Sequence, residues 1–160
     1  MKKSGQLELS FSMIFSIIII IATISVAFYF ISKFMTTGKC TSLGIMKEDI
    51  QAEIDKVWAS PFGVETYIGS PGSGIEKLCI GDLDKAGIKY STIREDLDTY
   101  SSPGDNFYMY PPEKACQGSM AAGRLNHLMV GNFTCFDVKD GKVELKMSKE
   151  NSSQTLVRIK

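Results

Sequence analysis

The residues of this sequence with the most evident chemistry are its four cysteines, Cys40, Cys79, Cys116 and Cys135. No two have the Cys-x-x-Cys spacing of zinc sites, and the chain has one histidine, so the pattern does not favour a structural zinc site. An even number of cysteines is typical of a disulfide framework in an oxidising compartment. Four cysteines allow three pairings, of which we expect Cys40–Cys79 and Cys116–Cys135. The alternative is four buried, reduced thiols in a cytoplasmic domain.

Few other residues suggest catalysis or ligand binding. The sole histidine, His127, lies in a run typical of a strand or its edge, where a surface histidine is expected. The sequence has neither a Gly-Lys-[Ser/Thr] phosphate loop nor a Gly-x-Ser-x-Gly motif. Four aspartates have oxygens that suit calcium, although solvated loop charge is the simpler interpretation: Asp82, Asp84, Asp96 and Asp98. Three aromatics suggest a binding edge, but core and strand propensity explain them first: Phe107, Tyr108 and Tyr110. We predict that the protein is not an enzyme and needs no metal or cofactor.

Two Asn-x-Ser/Thr sequons occur, beginning at Asn132 and Asn151. Each is a candidate glycan acceptor in an exported protein. Such tripeptides arise often by chance, but here they agree with the cysteines. Together they place the domain that carries them outside the cytoplasm.

The N-terminal part of the chain has the features of a membrane anchor. No charge occurs between Glu8 and Lys33, a run of 24 residues. A helix of that length is about 36 Å long, against about 30 Å of bilayer hydrocarbon. A buried core helix would show a polar face, and a cleaved secretory signal would be shorter and end in small residues. We predict a transmembrane helix over residues 6–34 and one domain over residues 35–160.

The predicted helix also has a face of small residues. At 100° per residue, four of them fall within one arc, close to Glu8: Ser12, Ser16, Thr23 and Ala27. Small residues let helices approach closely inside a bilayer, which predicts a helix-packing face. Chance spacing is the alternative, because Ser10, Ser25 and Ser32 lie on the opposite side.

Charge alone does not orient the anchor. Lys2, Lys3 and the amino terminus stand on one side, and Lys33 and Lys39 on the other. The cysteines and sequons decide, so we predict a single-pass protein of the cell membrane with a cytoplasmic N-terminus. From residue 35 onward, 15 Lys and Arg oppose 17 Asp and Glu, a net charge of −2. This balance gives no basic stripe for nucleic acid.

Residues 35–160 predict an α+β domain in which an amphipathic helix packs on a small antiparallel β-sheet. Residues 36–44 contain two glycines and are expected to interrupt the helix. An amphipathic helix follows over residues 45–59, with its apolar face formed by Met46, Ile50, Ile54, Val57 and Trp58. Short apolar runs predict strands at Val64–Ile68, Ile75–Ile80, Phe107–Tyr110, Phe133–Val138, Val143–Met147 and Leu156–Ile159. Asp140-Gly141 predicts a hairpin between two of these strands, while residues 81–105 read as irregular.

The first thirty residues resemble the class III signal peptide of archaeal type IV pilins. In that pattern a short basic leader ends in Gly, and an apolar helix with a glutamate near its start follows. Lys2-Lys3-Ser4-Gly5 would be the leader over residues 1–5, and Gln6 the new N-terminus. Glu8 stands at mature position three, whereas the pattern places its glutamate at five, where Ser10 stands.

This resemblance implies a pilin-like fold and a structural subunit. Its partners would be membrane lipid and either further copies of itself or other pilin-like subunits, assembled through the N-terminal helix into a surface filament or pseudopilus. The alternative is a single-pass, membrane-tethered binding or assembly domain that does not polymerise.

Overall fold

The protein is described by a computed structural model that covers residues 11–72, 74–129, 131–149 and 156–159. The chain divides into two compact units, Met1–Thr37 and Gly38–Lys160. Helix α1, Phe11–Ala59, contributes to both. It is the one helix of the described residues that is long and apolar enough to cross a membrane.

The predicted interruption of this helix is wrong. The structure assigns α1 without a break through residues 36–44. Glycine weakens a helix by about 1 kcal/mol relative to alanine but keeps its backbone N–H, unlike proline. Contacts of the neighbouring residues offset that cost, because Cys40 is disulfide-bonded and Leu43 and Met46 are buried.

Seven strands within the described residues form two antiparallel sheets in the unit Gly38–Lys160. The first sheet has the order β1-β6-β7 and the second the order β4-β3-β2-β5. Their bounds are β1 Gly63–Gly69, β2 Lys77–Ile80, β3 Phe107–Tyr110, β4 Ala122–Gly123, β5 Thr134–Asp137, β6 Val143–Lys149 and β7 Arg158–Ile159. The predicted α+β class is thereby confirmed, and the six predicted strands all overlap observed ones. The predicted single sheet is wrong, because the strands divide between two sheets.

The Asp-Gly turn forms, but it does not join two strands of one hairpin. Asp140 and Gly141 both have positive φ, and Lys139 and Lys142 exchange backbone hydrogen bonds of 2.8 and 2.9 Å. Beyond this single pair the chain separates, because β5 pairs with β2 and β6 pairs with β1 over seven residues. The longer pairings of each strand therefore override the local hairpin.

Strands β2 and β3 are buried on both faces. Leu78 of β2 and Met109 of β3 face a core that the second half of α1 completes with Met46, Ile50, Ile54 and Val57. These four residues confirm the predicted apolar face of α1, whereas Trp58 is 40% exposed. Cys79 and Tyr108 face a second core closed by helix α2, Ser91–Asp98.

Helix α2 lies in the segment predicted to be irregular. Its apolar content is limited to Ile93 and Leu97, spaced four residues apart, and both are buried. Eight residues with two apolar positions give a weak periodic signal, so the polar composition concealed the helix. The same burial shows that Phe107 and Tyr108 belong to the core rather than to a binding edge.

Candidate functional site

The predicted packing face lies on the first part of α1. Its residues Ser12, Ser16, Thr23 and Ala27 are helical, and their side chains are exposed. Ser16 Oγ donates to the backbone oxygen of Ser12 at 2.8 Å, and Thr23 Oγ1 donates to that of Ile20 at 2.9 Å. These hydroxyl groups satisfy their donors within their own helix, so they can face lipid or another helix without an unpaired proton. Their role in assembly stays a prediction.

The other residues of the predicted processing and assembly site are Gly5, Gln6 and Glu8. They lie outside the residues that the structure describes, as does the second sequon residue, Asn151. Nothing in the described geometry bears on leader cleavage.

All four cysteines are paired, but the expected pairing is wrong. The bridges are Cys40–Cys116 and Cys79–Cys135. Cys79 and Cys135 stand directly opposite each other in the β2–β5 register, which brings their sulfurs together across the sheet. Which strands are neighbours is a property of the topology, and the sequence spacing does not encode it. Disulfides persist in oxidising compartments, so the bridges favour an extracytoplasmic domain.

The Cys40–Cys116 bridge links α1 to a tight turn that follows β3. Cys116 and Gln117 both have positive φ, 58° and 57°, and the N–H of Gly118 donates to Ala115 at 3.1 Å. This turn carries the Cys116 sulfur to Cys40 on the helix. The bridge therefore covalently joins α1 to the strand-containing part of the unit Gly38–Lys160.

Asn132, the first sequon residue, lies just before β5. Its side chain is exposed, as is that of Thr134, and Phe133 between them is buried. The backbone of Gly81 passes so close to residues 132 and 133 that a Cβ there would stand 2.7 Å from the Asn132 oxygen. Asn132 thus offers an accessible side-chain amide at the surface, as a glycan acceptor must.

A cluster that the sequence did not reveal surrounds the single histidine. The His127 ring stacks on Trp58 with 3.8 Å between ring centroids, and its Nδ1 is 2.9 Å from an Asp55 carboxylate oxygen. Gln51 donates to the same oxygen of Asp55 at 2.8 Å and accepts from the backbone N–H of Asn126 at 2.8 Å. The cluster fastens the segment at residues 126–127 onto α1. Only the i, i+4 spacing of Gln51 and Asp55 hinted at it.

The four aspartates considered for calcium do not form a common site. Asp82 accepts from the backbone N–H of Asp84 and pairs with Lys85 at 3.0 Å. The hydrogen bond from Lys85 and that from the Asp84 backbone lower the pKa of the Asp82 carboxyl. Asp96 instead accepts from the Tyr110 hydroxyl at 3.0 Å. Across the described part of the chain, no three acidic, histidine or cysteine side chains are placed to hold a metal ion.

No family model matches the chain, and neither does any curated protein or solved structure. The described structure is that of an α+β protein with two disulfides and one N-terminal apolar helix that could span a membrane.

Proposed function

We propose that this chain is a pilin-like structural subunit of the cell membrane. Helix α1 anchors it, the disulfide-bonded domain lies outside, and copies of the chain or other pilin-like subunits assemble through the anchor. The observation that carries the proposal is the surface of the first part of α1, where every described side chain from Ser12 to Met35 is exposed within the chain.

An apolar surface of this size needs an apolar environment. Large aliphatic and aromatic side chains are about half exposed or more along the whole segment, including Ile18, Ile21 and Phe30. Exposure of these apolar side chains to water would raise the free energy of the protein, whereas contact with lipid or with neighbouring helices would remove that penalty. The small-residue face supports neighbouring helices, because Ser and Ala let backbones approach within a bilayer.

The outward location of the domain rests on its covalent chemistry. Cys40–Cys116 and Cys79–Cys135 account for all four cysteines, and the exposed sequon at Asn132 fits a glycan acceptor outside the cell. An outside domain places Lys2 and Lys3 in the cytoplasm and Lys33 and Lys39 outside, so the charges balance and the orientation depends on the disulfides and the sequon.

The resemblance at the N-terminus suggests how assembly would be driven. Cleavage after Gly5 would create a cationic amine at Gln6, near the carboxylate of Glu8. A carboxylate at the edge of the hydrocarbon is stabilised by a cation, and the amine of a neighbouring subunit would supply one. On a helix continued to Glu8, the 100° turn per residue would place Glu8 about 40° from Ser12, so the same face would carry both the ion pair and the close contact.

Two measurements on the full-length protein in its native membrane test this function. The mass of the extracted chain should correspond to an N-terminus at Gln6. Cross-linking should show oligomers that decrease in Glu8→Gln and in Ser16→Leu. Ser25→Leu is the matched control, because Ser25 lies nine residues from Ser16 and therefore on the opposite side of the helix.

The alternative function predicts different results. A chain with Met1 intact that cross-links only as a monomer, or whose cross-linking is the same in Ser16→Leu and Ser25→Leu, would be a tethered domain and not a pilin-like subunit. Alkaline carbonate extraction tests the anchor itself, since an integral protein stays with the membrane pellet. Recovery in the supernatant would contradict both functions.

A further inference from the structure

Strand β1 leaves one of its edges open. Among the described residues it pairs only with β6, at the border of the three-stranded sheet. Every second residue of such a strand presents an unpaired N–H and C=O to its free side. On the outer face of the same strand, Val64 is 74% exposed and Ile68 is 62% exposed, with exposed Thr66 between them.

The other sheet borders of the described residues are shorter than β1. Strands β4 and β7 have two residues each, and β5 has four and carries the Asp137 carboxylate, paired with Lys77. Very short edges and edge charges are common defences against strand addition. Strand β1 has seven residues, contains no lysine or proline, and bears two exposed aliphatic side chains. Its one charged residue, Glu65, pairs with Lys56 of α1 at 3.3 Å.

The sequence of β1 is complementary to itself. Read outward from Thr66, it has Glu65 and Tyr67, then Val64 and Ile68, then Gly63 and Gly69. In an antiparallel pair centred on Thr66, each Val64 would face an Ile68, each Glu65 a Tyr67, and Thr66 its own copy. Apolar pairs and Thr–Thr pairs are favourable across strands, and this register puts no like charge opposite Glu65.

We propose that β1 is a homotypic docking strand that pairs antiparallel with β1 of a second copy of this chain, centred on Thr66. The two three-stranded sheets then continue as one sheet of six strands, and the exposed aliphatic residues form a stripe across the junction. Pairing centred on Glu65 would oppose two like charges, and pairing centred on Tyr67 would leave Glu65 facing glycine. Thr66 is therefore the symmetric centre that uses the whole strand without repulsion.

This interface is separate from the helix contact proposed above and does not require it. Cysteine cross-linking of the full-length protein in membranes tests the register, because the four native cysteines are already paired. Thr66→Cys should give a disulfide-linked dimer under mild oxidation, since directly opposite Cβ atoms are about 5 Å apart. Ile88→Cys is the control, because Ile88 is 95% exposed and lies outside the strand.

A mixture of two variants makes the test specific. Val64→Cys alone should cross-link poorly, because the two copies of residue 64 would stand about 13 Å apart along the strands. Mixed with Ile68→Cys, it should cross-link efficiently. Ile68→Lys introduced beside Thr66→Cys should lower the dimer yield about fivefold by removing two apolar pairs, whereas Ile88→Lys should not.

The outcomes separate the two proposals. Register-specific cross-linking supports the docking strand whether or not the helix variants change assembly. Equal yields from Thr66→Cys and Ile88→Cys would overturn it, and so would a Thr66→Cys product whose mass shows a different protein on the strand.

Discussion

The His127 ring lies flat on the indole of Trp58, with 3.8 Å between centroids and 7° between the ring planes. The same imidazole reaches the Asp55 carboxylate through Nδ1, and its own backbone has a φ of 58°. A positive φ is uncommon for a residue other than glycine, although histidine adopts it more often than most, and the stacking and the hydrogen bond to Asp55 hold this conformation in place. The chain has one tryptophan and one histidine, so the fluorescence of Trp58 reports on this contact.

We therefore expect Trp58 fluorescence to report the contact with the His127 ring. The stacked imidazole covers one face of the indole, so His127→Ala should expose that face to water and shift the emission of Trp58 to longer wavelength. Asp55→Asn should leave the emission close to that of the parent, because the stacked rings remain. An unchanged emission spectrum in His127→Ala would show that the two rings are not in contact in solution.

Lys149 stabilises the end of helix α1. Its ammonium group donates to the backbone oxygens of Trp58 and Ser60 at 2.7 and 2.9 Å. The last carbonyls of a helix lack helical partners and carry partial negative charge, so a cation there is favourable. Lys149→Met should lower the free energy of unfolding by about 1 kcal/mol in chemical denaturation followed by Trp58 fluorescence.

Lys146→Met on the same strand is the matched control. Lys146 pairs with Glu144 at 3.5 Å, but both side chains are more than half exposed. Exposed ion pairs contribute little, so this variant should stay within about 0.5 kcal/mol of the parent. An equal loss in both variants would mean that the charge of β6, and not the helix end, is responsible.

Peptide mapping without reduction should recover Cys40 with Cys116 and Cys79 with Cys135. The bridged cysteines are separated by 76 and 56 residues in the sequence. For loops of this length, the loss of chain entropy in the unfolded state stabilises the fold by about 4 kcal/mol per bridge. Paired replacement of either bridge by alanine should lower stability by roughly that amount. Free thiols in protein taken from its native membrane would contradict both the pairing and the outside location of the domain.

Tyr108 should be the phenol that makes the fold sensitive to alkali. It is 2% exposed, and its burial, reinforced by the carboxylates of Asp105, Asp82 and Asp84, raises the pKa of Tyr108 from 10.0 to about 12. A pKa raised in the folded state contributes stability that is complete below the unfolded pKa and is lost as the pH rises towards the folded one. Between about pH 10 and 12, this loss is on the order of 2 kcal/mol.

Absorbance titration of the phenols measures this directly. Tyr108→Phe should remove a component that ionises near pH 12 and should flatten the loss of stability above pH 10. Tyr100→Phe, at a side chain that is 36% exposed, should leave that component in place. If the component remains in Tyr108→Phe, the buried phenol is not its source.

Local chemistry made much of the fold predictable. The apolar run of α1, the period of Met46, Ile50 and Ile54, and the strand Phe107–Tyr110 follow from hydrophobic patterns within a few residues of each other. Burial confirms the last two, and the helix Phe11–Ala59 confirms that the apolar run is helical. Positive φ at Asp140 and Gly141 was similarly encoded by the residues themselves.

What could not be predicted depends on distant neighbours. The separation of β5 and β6 into different sheets, the pairing of Cys79 with Cys135 and the unbroken passage of α1 past Gly38 and Gly44 are settled by contacts far away in sequence. The stacked pair of Trp58 and His127 is of the same kind, because 69 positions separate the two residues. Periodicity cannot report such contacts.

The bridge between Cys40 and Cys116 also determines how the protein would respond to tension. A pull transmitted along α1 from its N-terminal end reaches the covalent bond at Cys40 before it reaches Leu43, Met46 or Ile50, the first buried contacts of the helix. Force would pass through sulfur into the turn at Cys116, so the helix could not peel from the sheet one side chain at a time. After reduction of this one bond, the same pull would break the buried contacts of the helix one after another, starting from Leu43.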